Sequence, residues 1–377
     1  MKRALIIACF DSYSYNVRTK YVEEYLTDEN YKVEFLISDF DHRTKDTYSC
    51  QRKNVKYIHV PKYKKNMSIC RMISHCIFAL KVKKYLNTHI YDIIYITTPP
   101  NFLFYTLKSF KKNHMIFEIG DLWPETFPNR IRFKIMDLFF FMWRKLRDYN
   151  LSNNNYYLYE CKLFESIINN NTKNPLKGKT IYLCKNDTYK RMVRKLDNEK
   201  FRLLYLGSIN NIIDIDLIVE FCQSLKQKKP VVLSIVGVGE RKEELLNRLR
   251  NIDIELNDYG SVFDEKDKEI IFSDCNFALN IMKSSVCVGL TMKSIDYFSY
   301  GIPLINNISF DSEEIIEKNN CGFNINRDNV NKIAELLSEL SDVEYQCLVK
   351  NTYKTYEKFF SVYSFNKSFA EVLNSLN

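Results

Sequence analysis

Gly289-Leu290-Thr291-Met292-Lys293-Ser294-Ile295-Asp296-Tyr297-Phe298-Ser299-Tyr300-Gly301-Ile302-Pro303-Leu304-Ile305 is the stretch on which the fold turns. A glycine turn leads into a helix, and Gly301-Ile302-Pro303 breaks that helix before the next apolar run. Upstream, Phe277 to Ile281 reads as a strand, and Pro303 to Asn306 reads as another. Strand, helix, strand in this order is the unit of a parallel sheet whose helices cover its faces.

The same alternation runs outward in both directions. In the second half, Phe201 to Leu206, Val231 to Val236, Ile252 to Leu256 and Gly322 to Ile325 complete a set of strands, with helices at Ile213 to Lys226 and Glu240 to Leu249. In the first half the strands are Ala4 to Phe10, Lys32 to Ser38, Val55 to Val60, Ile93 to Thr98, Met115 to Ile119, Tyr156 to Tyr159 and Thr180 to Cys184, with helices at Val17 to Leu26 and Ser68 to Leu86. The pattern restarts after the polar segment Lys190 to Lys200. A chain of 377 residues accommodates two such domains. The expected fold is therefore α/β, with two doubly wound domains of Rossmann type over residues 1–195 and 196–355, followed by a C-terminal helical segment 356–377.

Composition narrows the function classes. Hydrophobic residues at 46% and charged residues at 27% describe an ordinary globular chain able to bury two cores. The 11 cysteines are scattered, without a CxxC pair or a Cys and His cluster at zinc spacing, so neither a disulfide framework nor a metal centre is expected. The first apolar run, Ala4 to Phe10, is too short for a secretory leader, and the longest aromatic run, Ile135 to Trp143, contains Asp137 and is too short to span a bilayer. A cytoplasmic protein is expected.

The net charge of +9 hides a polar molecule: residues 1–200 carry a balance of +16 and residues 201–377 one of −7. Between 51 and 100 the sole acid is Asp92 against ten bases, so one face of the first half is expected to meet an anionic partner. No nucleic-acid motif accompanies it. The stretch from Arg130 to Arg147 mixes Phe133, Leu138, Phe139, Phe140, Phe141, Met142 and Trp143 with Arg132, Lys134, Arg144, Lys145 and Arg147, as a helix lying on an anionic membrane surface would. The alternative is a core helix with basic ends.

Only nine glycines occur, and Gly207, Gly237 and Gly239 each follow a strand directly, where the chain is expected to turn into a phosphate-holding helix N-terminus. The Gly289 to Pro303 stretch resembles the donor-binding helix of retaining GT-B glycosyltransferases of family 4. Leu206-Gly207-Ser208 is similar to the start of that family's second domain, and Gly237-Val238-Gly239-Glu240 to its donor loop. Asp121-Leu122-Trp123-Pro124-Glu125 resembles a motif of the subgroup that builds bacterial surface polysaccharides such as capsule, O-antigen or exopolysaccharide. The resemblance covers essentially the whole chain and implies two domains facing across a cleft, with the terminal helices from Asp342 crossing back to the first.

That resemblance implies a glycosyltransferase acting peripherally at the inner face of the membrane. Its donor is a nucleotide diphosphate sugar, a UDP-sugar before a GDP-sugar, and its acceptor a glycan or an undecaprenyl-diphosphate-linked glycan. It implies retention, no metal and no cofactor. Asp296 would accept the ribose hydroxyls, the Leu290 and Thr291 amides would face the diphosphate, and Lys293, with Lys283, would supply the counter-charge. Two departures stand out: Val288 occupies the position of the family's first glutamate, and no base follows Gly207 until Lys226.

In the first domain the resemblance makes Asp121 the catalytic candidate, orienting the acceptor hydroxyl or stabilising positive charge, with Trp123, Glu125 and Arg18 on the acceptor side. Asp121 has an alternative as the cap of a helix starting near Pro124, and Arg18 as a surface arginine. Two competing functions use the same shell. A nucleotide-sugar epimerase is disfavoured because all five histidines lie in the first half. A non-catalytic partner subunit of a glycosyltransferase complex is kept open by the two departures.

Overall fold

The computed structural model describes residues 1–10, 18–47, 52–66, 68–108, 110, 114–127, 134–172, 174–186, 191 and 193–376, the side chains of 134–136 excepted. The residues after Phe10 up to Val17, the stretch from Arg130 through Arg132 to Phe133, the Lys134 side chain and Lys190 thus lie outside the described residues. The chain divides into two compact units, Met1–Leu183 with Asn366–Asn377, and Cys184–Phe365.

The first unit is built from β1 (Arg3–Ala8), α1 (Arg18–Asp28), β2 (Lys32–Ser38), β3 (Val55–Ile58), α2 (Ile69–Leu86), β4 (Ile93–Thr98), α3 (Phe102–Leu107), β5 (His114–Ile119), α4 (Lys134–Asp148), β6 (Tyr156–Tyr159), α5 (Lys162–Asn171) and β7 (Gly178–Thr180). Its sheet order is β3-β2-β1-β4-β5-β6-β7, every pair parallel. The second unit comprises β8 (Phe201–Leu206), α6 (Ile215–Lys226), β9 (Val231–Val236), α7 (Lys242–Arg250), β10 (Glu255–Gly260), α8 (Glu265–Ser273), β11 (Phe277–Asn280), α9 (Met292–Ser299), β12 (Leu304–Asn306), α10 (Asp311–Asn319), β13 (Gly322–Asn324), α11 (Val330–Ser338) and α12 (Asp342–Phe359). Its order, β10-β9-β8-β11-β12-β13, repeats the same winding. In each sheet the strand order reverses beside the first strand, between β1 and β4 and between β8 and β11, which is where ligands of such sheets bind.

Burial explains these strands. All six residues of β9 are buried and Leu203, Leu204 and Tyr205 of β8 are below 2% exposed, as expected of strands covered on both faces. The segment leading into β8 is tied down by Arg194, whose guanidinium donates to the carbonyls of Tyr300 (2.9 Å), Phe272 (2.9 Å) and Cys275 (2.6 Å) at the C-terminal ends of α9 and α8. The final helix, α13 (Val362–Asn374), ends in the first unit: Phe369 packs edge-on against Tyr25 and Tyr95, and Lys177 donates to the Ser375 carbonyl at 2.7 Å.

β1 and β3 end two residues earlier than expected, at Ala8 and Ile58, and two strands are displaced. The edge strand is Gly178–Thr180 and not Thr180 to Cys184, because its neighbour β6 ends at Tyr159 and leaves nothing to pair with beyond Ile181. β10 begins at Glu255, not Ile252. The residues before it close the end of α7, with Ile252 and Ile254 both donating to the Leu249 carbonyl and Asp253 at φ +50°.

Candidate functional site

The glycines after β8 and β9 let two strand ends pack backbone on backbone. Gly207, at φ +114°, donates to the Val236 carbonyl at 2.9 Å, and Ile209 to Val238 at 3.0 Å. A Cβ on Gly237 would stand 2.1 Å from the Gly207 oxygen, and one on Gly239 would stand 2.2 Å from the Ile209 oxygen. No side chain fits there. The expected immediate turn into a helix after Gly207 does not occur: α6 begins only at Ile215, capped by Asp214, whose carboxylate accepts from the Leu217 amide at 3.0 Å. Asp214 and Asp216 are spent there, the latter on Arg248.

The helix α9 is aimed at the same place. Its N-cap is Thr291, whose hydroxyl oxygen accepts from the Ser294 amide (3.3 Å) and donates to Asn280 Oδ1 (2.8 Å). Asn280 continues the chain to Asn306 (2.9 Å) and Asn306 to Asn324 (2.8 Å), a buried amide ladder across β11, β12 and β13, which hold these residues in register. Gly289 is pinned through its carbonyl by the Ser312 amide and hydroxyl, at 2.9 and 2.7 Å. Tyr297, wholly buried, accepts from the Leu206 amide at 2.7 Å and donates to the Leu279 carbonyl at 3.3 Å. The helix is thereby stitched to both strands that flank the switch in strand order.

Lys293 is the charge this arrangement holds. Its ammonium lies 4.6 Å from the centre of the Tyr205 ring, its stem 4.0 Å from the place a Gly207 Cβ would take. It has no hydrogen bond or ion pair among the described residues, and desolvation alone pulls its pKa down to about 7. Asp296 lies one turn further along, and its Oδ1 accepts from Lys185, which also approaches Glu265 at 3.6 Å. Leu290 and Lys283 are half-buried in their turns, Lys283 donating its amide to the Ile212 carbonyl at 2.8 Å. Ser208 is exposed and its carbonyl accepts from Tyr205 at 3.2 Å; Glu240 is exposed and accepts from Asn211. Val288 packs on the apolar core of this unit.

In the first unit Asp121 follows β5 and Gly120. Its carboxylate accepts from Trp123 Nε1 at 2.5 Å and from the Thr126 hydroxyl, while burial pushes its pKa up against those two bonds. The expected helix near Pro124 is a turn, closed by Thr126 donating to Leu122 (3.1 Å) and Phe127 to Pro124 (3.1 Å), so Asp121 caps no helix there. Glu125 is committed to two arginines, a bidentate pair with buried Arg147 at 2.8 and 2.9 Å and a contact with Arg144 at 2.9 Å. Arg18 is no surface residue. It is 2% exposed, with Nε 3.0 Å from Glu118, which also accepts from Tyr95 at 2.7 Å. Glu160, after β6, faces Gly120 from the other side, and burial with Glu118 and Asp121 nearby lifts its pKa to about 8.

Sequence reasoning missed Lys185, Tyr297 and Asn280 in the second unit and Arg71 and Glu118 in the first as members of these clusters. Only the alternation of buried strand ends could have pointed to them, since each reaches its site through another element.

Residues 200–342 match the family described as glycosyl transferases group 1. The second unit therefore carries a glycosyl transferase group 1 domain, and the chain is a glycosyltransferase. No curated protein matches the sequence. Among solved structures, the chain is similar along its full length to the sucrose-phosphate synthase of Thermosynechococcus elongatus, with a TM-score of 0.71 at 12% identity and 99% of that chain covered. HepE of Anabaena, solved with UDP, matches at 0.69 and 14%, with 100% of both chains covered. The lipopolysaccharide outer core galactosyltransferase WaaB matches at 0.68 and 14%, with 100% of this chain and 99% of that one covered. At these identities the likeness is one of fold, and the fold is GT-B.

Proposed function

We propose that the chain moves a sugar from a nucleotide diphosphate sugar, a UDP-sugar by preference, to a glycan or lipid-linked glycan acceptor in the building of a bacterial surface polysaccharide. The observation that carries the donor site is Lys293, a poorly solvated ammonium without a counter-ion among the described residues, beside strand ends that Gly207, Gly237 and Gly239 let pack backbone on backbone. A buried cation of this kind is costly when empty and is balanced when an anion arrives. HepE has been solved with UDP and with UDP-glucose, which supports the same donor class here.

In this reading the diphosphate rests against Lys293 and the start of α9, and Asp296 receives the ribose hydroxyls in exchange for Lys185. The acceptor oxygen bonds to the sugar's anomeric carbon as that carbon's bond to the phosphate oxygen breaks, and the acceptor proton leaves with the departing diphosphate. Charge on the leaving group is then met by protein groups, without a metal, and the family resemblance supports retention. Asp121 orients the acceptor hydroxyl, its own orientation fixed by Trp123 and Thr126.

The polysaccharide setting rests on the Asp121 to Glu125 motif and on helix α4. No helix among the described residues is long and apolar enough to cross a membrane. On α4, however, Leu138, Phe141 and Met142 are 61, 51 and 63% exposed, beside Arg144 and Lys145. An apolar face rimmed by bases suits an anionic bilayer, where undecaprenyl-diphosphate-linked acceptors reside. The test of the donor assignment is thermal stabilisation by UDP, GDP, dTDP, CDP and CMP, beside Asp296→Ala. One diphosphate at 100 times its Kd adds about 2.7 kcal/mol, and the variant should lose that gain. No response to any nucleotide would refute the assignment.

A further inference from the structure

In the first unit the loops that follow β1, β2, β3 and β5 converge on one side chain that neither the sequence nor the donor site accounts for. Arg71, in the first turn of α2, is 7% exposed. Its guanidinium lies 4.2 Å from the Trp123 ring, 5.3 Å from Phe10 and 5.6 Å from Tyr63. Phe10 follows β1, Tyr63 follows β3 and Trp123 follows β5, so these are C-terminal strand ends of a parallel sheet. His75, one turn further along α2, stacks on Trp123 at 5.8 Å.

The charges around Arg71 do not balance. Its hydrogen bonds go to the Asn66 carbonyl (2.9 Å) and to His75 Nε2 (3.4 Å), and among the described residues no carboxylate stands within ion-pair distance. From the loop after β2, Lys45 adds a second cation 5.0 Å from the Tyr63 ring, donating to Asn66 Oδ1 at 2.6 Å and likewise without a carboxylate partner. The groups facing this place are Arg71, Lys45, Arg43, His42 and His75 on the basic side, against Asp41 and Asp121. The Tyr63 hydroxyl, on a residue 4% exposed, meets the Arg71 guanidinium, which can only donate to it, and its own proton has no acceptor among the described residues.

A buried guanidinium without a counter-ion beside an unsatisfied hydroxyl is an unfavourable arrangement for a structural core, and a bound oxyanion corrects both faults at once. We propose that these loops form a binding site for an oxyanion of the acceptor, a phosphate or a carboxylate, received by the Arg71 guanidinium and the Tyr63 hydroxyl. The proposal rests on the glycosyltransferase reading and specifies its acceptor: an anionic one. Burial first, with Arg43 and then Arg71 adding to it, holds His42 down at about 4, and burial with Arg71 and His42 beside it holds His75 well below its usual range, leaving both neutral at pH 7. They are free to act as hydrogen-bonding walls without competing for the anion.

The chain offers its own probe. Its two tryptophans, Trp123 and Trp143, lie 5.8 Å apart in the first unit, and Trp123 lies under Arg71, so tryptophan fluorescence reports this site and not Lys293. The experiment titrates inorganic phosphate, inorganic diphosphate and glucuronate into the full chain, Lys293→Met, Arg71→Met and Tyr63→Phe. A saturable fluorescence change in the wild type and in Lys293→Met is expected, at least tenfold weaker in Arg71→Met and several-fold weaker in Tyr63→Phe. Phosphates acting before glucuronate identify a phosphorylated acceptor, and the reverse order a uronate. Unaltered titration of both variants, or no saturable change with any of the three anions up to about 10 mM, where binding is worth under about 3 kcal/mol, overturns the proposal. Should Arg71→Met not fold, Tyr63→Phe with Arg71→Lys decides. Loss of UDP binding in the same protein would sink the donor reading separately, because UDP stabilisation is read on the whole chain by calorimetry.

Discussion

The two strand-end clusters of this protein solve opposite problems. In the second unit the site is cleared: glycines remove side chains from Gly207 to Gly239, backbone packs on backbone, and a single cation, Lys293, is left over. In the first unit the site is filled: Asp121, Trp123, Arg71 and Glu160 crowd the strand ends with aromatic and charged groups. A cleared site takes a ligand whose charge and shape are constant, as a nucleotide diphosphate is. A filled site discriminates, because each side chain is a separate contact. The donor end is thus expected to tolerate few changes in backbone, and the acceptor end to respond to single side chains.

The largest effect that would sharpen this contrast is on turnover. Asp121→Asn can keep both partners, accepting from Trp123 and donating to the Thr126 hydroxyl, but it removes the carboxylate charge, and activity is expected to fall by about a hundredfold or more while UDP affinity holds. Steady-state kinetics beside a nucleotide titration checks it, and an active variant breaks the assignment. Next comes Gly237→Ala: a methyl 2.1 Å from the Gly207 oxygen forces the two loops apart. Urea unfolding should show a loss of about 2 to 3 kcal/mol.

Thr291→Ala removes one cap bond and one end of the amide ladder and is expected to cost about 1 kcal/mol. An unchanged midpoint would mean that α9 is held by Tyr297 alone. The two ends also differ in how they respond to pH. Lys293 is protonated in the unfolded chain up to its ordinary range but sheds its proton near 7 in the empty fold. Below 7 the fold therefore bears the whole cost of the charge, and stability gains as pH rises from about 7 towards 10. Glu160 acts in the opposite sense: its raised pKa of about 8 contributes stability at low pH that is lost as pH rises from its ordinary range through 8. Thermal scans of Lys293→Met and Glu160→Gln across pH 5 to 9 should each flatten one limb of the profile; identical profiles for all three proteins would contradict both shifts.

How much of this was legible in the sequence follows the same contrast. The parallel sheets were, because β2, β4, β6, β8 and β9 are mostly buried runs whose ends the expected strands match. β7 and β10 were misplaced where a strand's limit is set by its neighbour or by the helix before it, which no local pattern reports. At the donor end the glycines and the run from Gly289 to Pro303 are contiguous, so the elements could be read off, although the distance from Gly207 to its helix could not. The occupation of Asp296 by Lys185 was invisible, since the pair is 111 positions apart. In the first unit Asp121 and Glu125 stood out by their motif, while the partners that hold Arg18 and Glu125 did not show. Their roles depend on Glu118 and Arg147, which meet them only in three dimensions. Arg71 carried no signal of its own, only the collective one of the basic stretch between 51 and 100.

The central claim is that the cleared end of the second unit holds a nucleotide diphosphate against Lys293. Calorimetric titration of UDP into the wild type, Lys293→Met and Asp121→Asn at pH 6.5 tests it most directly. The account predicts saturable binding to the wild type, the same affinity in Asp121→Asn, and at least a tenfold loss in Lys293→Met, a difference of about 1.4 kcal/mol. Equal binding by Lys293→Met and the wild type would contradict it.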